Sequence, residues 1–105
     1  MEITKERILE MLYQCISKLN EQRSKNEQLA SSPQTPLLGE GVNLDSLGFV
    51  NLVALVEEEC QDQFGKTLVL SDAAMKPGSR DPFATVEALA EYIQLFLSDR
   101  LADWR

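Results

Sequence analysis

The chain has 105 residues, enough for a single domain (1–105) with one modest core, and its 44% hydrophobic content argues against wholesale disorder. Ten basic residues against 17 acidic ones give a net charge of −7, which repels nucleic acid and anionic lipid and favours basic partner surfaces. Histidine is absent, which removes the commonest general base and a common metal ligand. Nucleic-acid binding is therefore not expected.

The two cysteines and the first residues bear on the compartment. Cys15 and Cys60 fall at apolar positions of helical patterns, which predicts small buried hydrophobes rather than a disulfide or metal pair. The longest apolar stretch, residues 47–56, is too short to span a bilayer, which needs about 20 residues. We expect a reduced, cytoplasmic protein without membrane insertion. No signal-peptide core is expected either, because five of the first ten residues are charged: Glu2, Lys5, Glu6, Arg7 and Glu10.

Residues 3–19 are predicted to form the first helix. Thr4 is a suitable N-cap, and Ile3 with Ile8 has the spacing of a hydrophobic staple. The polar stretch 20–28 either extends this helix or frays. Apolar side chains recur at helical spacing along one face: Ile8, Leu12, Cys15, Ile16 and Leu19.

Residues 30–43 are predicted to form a long loop. Pro33 and Pro36 break the helix, and Gly39 and Gly41 add backbone freedom. Four apolar residues are expected to fix the loop onto the bundle and orient the segment that follows: Leu37, Leu38, Val42 and Leu44.

The second helix is predicted to run from Ser46 to about Phe64. Asp45 is a natural N-cap, and Leu44 and Phe49 occupy the two positions of a hydrophobic staple. Gly65 is suited to end the helix. The inward face is predicted from helical spacing to consist of Phe49, Leu52, Val53, Val56, Cys60 and Phe64.

The remainder contains one more long helix. Residues 66–82 are irregular, with a single helical turn predicted from Ser71 or Asp72 through Met75. Phe83 is predicted to be buried, and Thr85 to cap a last helix before a tail (98–105) that frays. The fold class is therefore all-α: a small, irregular four-helix bundle with three main helices, one short helix and a long first loop. The predicted inward face of the last helix consists of Val86, Leu89, Ala90, Ile93 and Leu97.

Ser46 is the residue with the clearest chemical potential. As the first residue of the second helix it lies at the positive end of the helix dipole, where a phosphate group is electrostatically favoured. The tripeptide Asp45-Ser46-Leu47, with a long helix behind it, resembles the attachment motif of acyl carrier proteins and the related peptidyl carriers. The resemblance extends over about residues 3–97. It implies an acyl-carrier-like bundle in which Ser46 carries a 4′-phosphopantetheine arm derived from coenzyme A, whose thiol holds the cargo as a thioester.

The resemblance also implies partners and a recognition surface. Asp45 is expected to contact the phosphopantetheinyl transferase and its metal-bound coenzyme A, whereas Leu47 and Phe49 are each either core residues or anchors for partner enzymes. Many carriers have acidic residues where this chain has Gly48 and Asn51, which favours a specialised member with its own enzymes. The expected partner surface comprises Asp45, Leu47, Gly48, Phe49, Glu57 and Glu58 on a monomer. The further partners implied are an acyl-loading ligase or transferase and ketosynthase or acyltransferase-type enzymes.

The sequence is also compatible with other functions. The cargo is either an acyl group from fatty-acid, polyketide or related biosynthesis, held partly between helices near Val53, Val56 and Leu89, or an aminoacyl or peptidyl group. Alternatively, an unmodified helical adaptor binds a basic partner through the acidic residues Glu57, Glu58, Glu59 and Asp62. An enzyme is not expected, because Ser46 has no histidine partner for a catalytic triad and no glycine-rich phosphate loop or metal-ligand motif is present.

Overall fold

The computed structural model describes residues 3–25, 28–37, 44–70 and 81–104, and within these ranges the protein is helical without a β-strand. The three α-helices are α1 (Lys5–Asn20), α2 (Ser46–Phe64) and α3 (Val86–Leu97), and a short 3₁₀ turn follows at Leu101–Asp103. The predicted all-α class and the three main helices are confirmed. The predicted short helix at 71–75 lies outside the described residues, as do Leu38 and Val42.

Each α-helix begins at a predicted N-cap. The side chain of Thr4 accepts a hydrogen bond from the backbone N–H of Arg7, that of Asp45 from Gly48, and that of Thr85 from Ala88. The Asp45 bond is the shortest of the three, at 2.7 Å. Each bond satisfies one of the four N–H groups that a helix start leaves unpaired. The helix starts are thus fixed by residues next to them in sequence.

α1 packs against both other helices. It runs antiparallel to α2, since the guanidinium of Arg7 lies 5.5 Å from the ring centroid of Phe64 and Lys18 is paired with Glu59 nearer the start of α2. Lys5 at the first turn of α1 bonds Glu87 at 3.2 Å in the first turn of α3. The three helices therefore enclose one core with α1 in contact with both partners.

The core contains most of the predicted inward-facing residues, with some differences. Met11, which the α1 pattern did not single out, is fully buried, and Phe83 is buried as predicted. In α2, Phe49, Val53 and Phe64 are only half-buried and pack against the outside of the core. The buried hydrophobic side chains of the helices are Ile8, Met11, Leu12, Cys15, Ile16, Leu19, Leu52, Val56, Cys60, Val86, Ala88, Leu89, Ala90, Tyr92, Ile93 and Leu97.

The segment after α1 turns back and is tied to the bundle. α1 ends at Asn20, whose side-chain amide both accepts from the N–H of Leu29 and donates to its carbonyl, each at 2.9 Å. The carbonyls of Pro33 and Thr35 accept bonds from the first-turn N–H groups of Glu87 and Val86 at 2.9 Å. The loop thus supplies main-chain acceptors to the start of α3. Leu37 and Leu44 are buried as predicted.

The segment after α2 is fixed by a side chain of α2. Gly65 has a left-handed conformation with φ +68°, which ends the helix as predicted. Leu68 and Leu70 are buried while Val69 between them is 46% exposed, an alternation typical of a strand edge. The carboxylate of Glu57 accepts from the N–H of Leu70 at 2.9 Å and takes the place of a neighbouring strand's carbonyl.

The described part of the C-terminal tail contacts α3. It forms the 3₁₀ turn Leu101–Asp103, with Arg100 and Asp103 paired at 2.9 Å. The ring of Trp104 packs edge-on against Tyr92 of α3, with 5.3 Å between centroids. Fraying of the tail stays a prediction.

Candidate functional site at the start of α2

The candidate site is the first turn of α2. Ser46 is the first residue of the helix and follows the N-cap Asp45. The residues on either side of it, Asp45 and Leu47, are exposed, and Leu47 retains 70% of its accessible surface. The carboxylate of Asp45 is engaged by the N–H of Gly48, so it caps the helix as predicted. The main chain therefore presents Ser46 within an exposed segment.

Apolar side chains on the inner side of this turn hold it in place. Leu44 is buried with 8% exposure, immediately before the cap. Phe49 packs edge-on against Phe83, which precedes α3, with 5.0 Å between ring centroids. The sequence left Leu47 and Phe49 each as either a core residue or an anchor for partners. In the structure, Phe49 packs against the core and Leu47 faces solvent. A role for either in partner recognition stays a prediction.

Arg23 is a member of this site that sequence reasoning missed. A Cβ atom built on Gly48 would lie 2.8 Å from Nη1 of Arg23 and 2.9 Å from Cδ1 of Leu44, so the guanidinium lies directly against the glycine. Arg23 reaches this place from the turn that follows α1, because the antiparallel arrangement brings the end of α1 beside the start of α2. The only signal in the sequence was a glycine in the first turn of a helix.

The electrostatics of the turn favour an anion outside it. The first turn of α2 contains no acidic residue, and its N–H groups, which have no partner within the helix, carry the partial positive charge of the helix start. The guanidinium of Arg23 adds a full positive charge beside Gly48. Asp45 opposes this, but one of its carboxylate oxygens is turned toward the N–H of Gly48. A phosphate ester at the helix start would meet both the N–H groups and the guanidinium.

An open groove lies between α1 and α2, farther along the same helix. This α1–α2 groove has a volume of about 570 Å³. It lies beside the exposed outer face of α2, which begins with Leu47 and Val50, the latter 60% exposed. The residues that line the groove are Lys18, Leu19, Glu21, Gln22, Asn51, Ala54, Leu55 and Glu58.

The acidic residues in the second half of α2 do not form one surface. Glu57 is bonded to Leu70 N, whereas Glu59 accepts from Lys18 at 2.6 Å and lies toward α1. The hydrogen bond with Lys18 lowers the pKa of Glu59, and the same bond raises the pKa of Lys18. Glu58 and Asp62 are exposed. The predicted partner residues Glu57 and Glu58 therefore differ: the first carries a structural hydrogen bond and the second lines the α1–α2 groove.

A small apolar cavity lies between the helices. The apolar cavity between the helices has a volume of about 10 Å³, close to the volume that a single water-sized sphere needs. Of the three residues named for a cargo cavity, Val56 and Leu89 line this one, whereas Val53 does not and is half-buried. A cargo cavity stays a prediction. The remaining residues that line the cavity are Leu12, Ile16, Leu37, Leu52 and Val86.

The two thiols are withdrawn from solvent. Burial raises the pKa of Cys15 to about 12 and that of Cys60 to about 11, so both are protonated at neutral pH. Among the described residues no group of three or more potential metal ligands occurs. Over the same ranges of the chain, none of the helices combines the length and apolar character that a membrane span needs.

Comparison of the chain with protein-family models, curated proteins and solved structures gave no match.

Proposed function

We propose that the protein is a specialised acyl carrier of the cytoplasm, with an acyl-carrier-like four-helix bundle and a 4′-phosphopantetheine arm on Ser46. The observation that carries the proposal is the position of Ser46: it is the first residue of α2, directly after a capping aspartate and between two exposed neighbours. A phosphate attached to the first residue of a helix adjoins the N–H groups of the helix start.

The residues around Ser46 fit a phosphodiester. The N–H groups of the first turn and the guanidinium of Arg23 supply positive charge, while Gly48 leaves the space in which that guanidinium lies. Modification forms an ester bond from Ser46 Oγ to phosphorus, breaks the pyrophosphate bond of coenzyme A and releases adenosine 3′,5′-bisphosphate. The hydroxyl proton passes to a base of the transferase, so this chain needs no general base. Once attached, the arm supplies a thiol that holds cargo as a thioester.

Partner recognition is assigned to the exposed start of α2. Asp45 is the expected contact for the transferase, and Leu47 with Val50 forms an apolar anchor that protrudes into solvent. Gly48 and Asn51 add no acidic side chain to this surface beyond that of Asp45. We therefore expect recognition by an apolar contact rather than by salt bridges. The partners are the transferase, an acyl-loading ligase or transferase, and enzymes of the ketosynthase or acyltransferase type.

An acyl cargo that enters the apolar cavity between the helices must enlarge it, because a cavity of about 10 Å³ is too small for a hydrocarbon chain. The side chains that would move line this cavity, among them Leu52, Val56 and Leu89. Shifts of their methyl NMR signals on loading support sequestration of the chain. Unchanged signals indicate that the cargo stays outside, as expected for an aminoacyl or peptidyl carrier.

The dispersal of the acidic residues disfavours the adaptor alternative. Glu57 and Glu59 are engaged with Leu70 and Lys18, which leaves Glu58 and Asp62 as the exposed carboxylates of the four. The direct test is the mass of the folded protein after incubation with coenzyme A and a promiscuous phosphopantetheinyl transferase. A gain of one phosphopantetheine that Ser46→Ala lacks supports the carrier. No gain in the wild type argues for the adaptor, whose partner binding Ser46→Ala would leave intact.

A further inference from the structure

We propose that the α1–α2 groove holds the pantetheine arm between visits to partner enzymes. This inference rests on the carrier function proposed above and adds a resting site for the arm on the outside of the bundle. The groove lies outside the core. Three exposed residues that line it take part in neither the helix caps nor the core, and the arm would give them a role: Gln22, Asn51 and Ala54.

The position of the groove suits an arm that starts at Ser46. Leu47, Asn51, Ala54 and Glu58 recur at helical spacing and so share one face of α2. From Ser46 to Glu58 this face extends for about 18 Å at about 1.5 Å per residue. That length is comparable with an extended pantetheine arm. An arm anchored at the start of α2 therefore reaches the full groove without any change in the helices.

The chemistry of the groove complements the arm. Pantetheine has a dimethyl carbon near the phosphate, two amide groups along its length and a hydroxyl group. Leu19, Leu55 and Ala54 supply apolar surface, and the side-chain amides of Gln22 and Asn51 both donate and accept hydrogen bonds. The exposed polar residues of the groove lie at the end of α1, in the turn after it and on α2. An arm in the groove can thus bury its methyl groups while its amides remain bonded.

The covalent attachment explains why a shallow groove is sufficient. A tethered ligand has an effective concentration in the millimolar range, so that weak contacts hold it for much of the time and still release it to a partner. A tight site would oppose delivery of the cargo. Among possible occupants, the arm is favoured because it is attached next to the groove and matches its length and its mixed polar and apolar lining.

The test places a nitroxide spin label on the arm thiol of the ¹⁵N-labelled holo protein. Cys15 and Cys60 are both fully buried, so a thiol reagent reacts selectively with the arm. We expect loss of the amide signals of Leu19, Gln22 and Ala54, while those of Tyr92 and Ile93 in α3 persist. Equal, slight broadening of the amide signals on all faces of the protein, or a loss of amide signals mainly in α3, would overturn the inference.

Ala54→Trp supplies a variant that fills the groove from an exposed position, and Gln61→Trp is the matched control on an exposed part of α2 outside it. Ala54→Trp is expected to restore the amide signals of Leu19 and Gln22, whereas Gln61→Trp leaves them lost. Restoration in both variants or in neither contradicts the proposal. Intact mass is measured before labelling. If no arm is added, the carrier function itself is contradicted. If the arm is added but makes no contact with the groove, only this inference is contradicted.

Discussion

Nη1 of Arg23 lies 2.8 Å from the position that a Cβ atom on Gly48 would occupy. The guanidinium of Arg23 thus fills the space that a side chain at position 48 would need. This contact links the turn after α1 to the first turn of α2 and sets a positive charge beside Gly48. It also explains why a residue with poor helix propensity is found in that turn.

A double-mutant cycle on this pair tests the contact. Gly→Ala in a helix ordinarily raises the free energy of unfolding by about 0.5–1 kcal/mol. We expect no gain from Gly48→Ala in the wild type, because both Arg23 and Leu44 must move. In an Arg23→Ala background the same substitution should be more favourable by about 1 kcal/mol. Urea unfolding measures all four proteins, and equal effects in the two backgrounds would show that Arg23 does not occupy the space.

Asp45 is expected to have two separable roles. Asp45→Ala removes the acceptor for Gly48 N–H and should lower the free energy of unfolding by about 1 kcal/mol. Asp45→Asn retains a capping oxygen and should cost little stability. If Asp45 also contacts the transferase, Asp45→Asn should nevertheless slow modification of Ser46. Urea unfolding and the rate of mass gain are measured for each variant. If Asp45→Asn is modified at the wild-type rate, Asp45 acts only as a helix cap and does not contact the transferase.

Glu57 and Glu58 should respond differently to truncation. Glu57→Ala leaves the N–H of Leu70 without its acceptor and should destabilise the protein by about 1.5–3 kcal/mol, because the bond involves a charged group. Glu58→Ala, at the next position and exposed, should change stability by less than about 0.5 kcal/mol. Thermal or urea unfolding distinguishes them. Equal, small effects would mean that Glu57 does not fix the segment after α2.

The buried thiols predict a loss of stability in alkali. Their pKa values rise from 9.0 to about 12 for Cys15 and about 11 for Cys60, chiefly because of burial. Below pH 9 both states keep the thiol protonated. Between pH 9 and 11 the unfolded chain loses the proton and the folded protein retains it, so the free energy of unfolding falls as pH rises. Each thiol lowers the free energy of unfolding by at most about 1.4 kcal/mol per pH unit in this range.

The variant Cys15→Ala/Cys60→Ala is the control for this dependence. It should be less stable at neutral pH because it leaves cavities, yet its stability should fall less steeply above pH 9. Urea unfolding at a series of pH values gives both slopes. A slope as steep as that of the wild type would assign the alkaline loss to other groups.

The sequence predicted the helices well because their limits are set locally. Thr4, Asp45 and Thr85 cap through hydrogen bonds to residues three positions later, and Gly65 ends α2 through its own backbone conformation. Such signals need no knowledge of the tertiary structure. The start of α2 and the position of Ser46 within it were predictable for the same reason.

Contacts between distant segments were not predictable in the same way. The bond from Glu57 to Leu70, the packing of Trp104 on Tyr92 and the position of Arg23 against Gly48 each depend on how the helices are arranged. A run of acidic residues in α2 suggested one charged surface, but successive residues of a helix point in directions about 100° apart. Glu57 and Glu59 consequently meet different neighbours. The groove between α1 and α2 likewise required the pairing of the two helices.

The central claim is tested most directly by intact mass. Folded wild-type protein is incubated with coenzyme A and a promiscuous phosphopantetheinyl transferase, beside Ser46→Ala and Ser17→Ala, the latter an exposed serine of α1 as the matched control. The carrier function predicts a gain of one phosphopantetheine in the wild type and in Ser17→Ala, and none in Ser46→Ala. No gain in the wild type, or a gain that persists in Ser46→Ala, would contradict it.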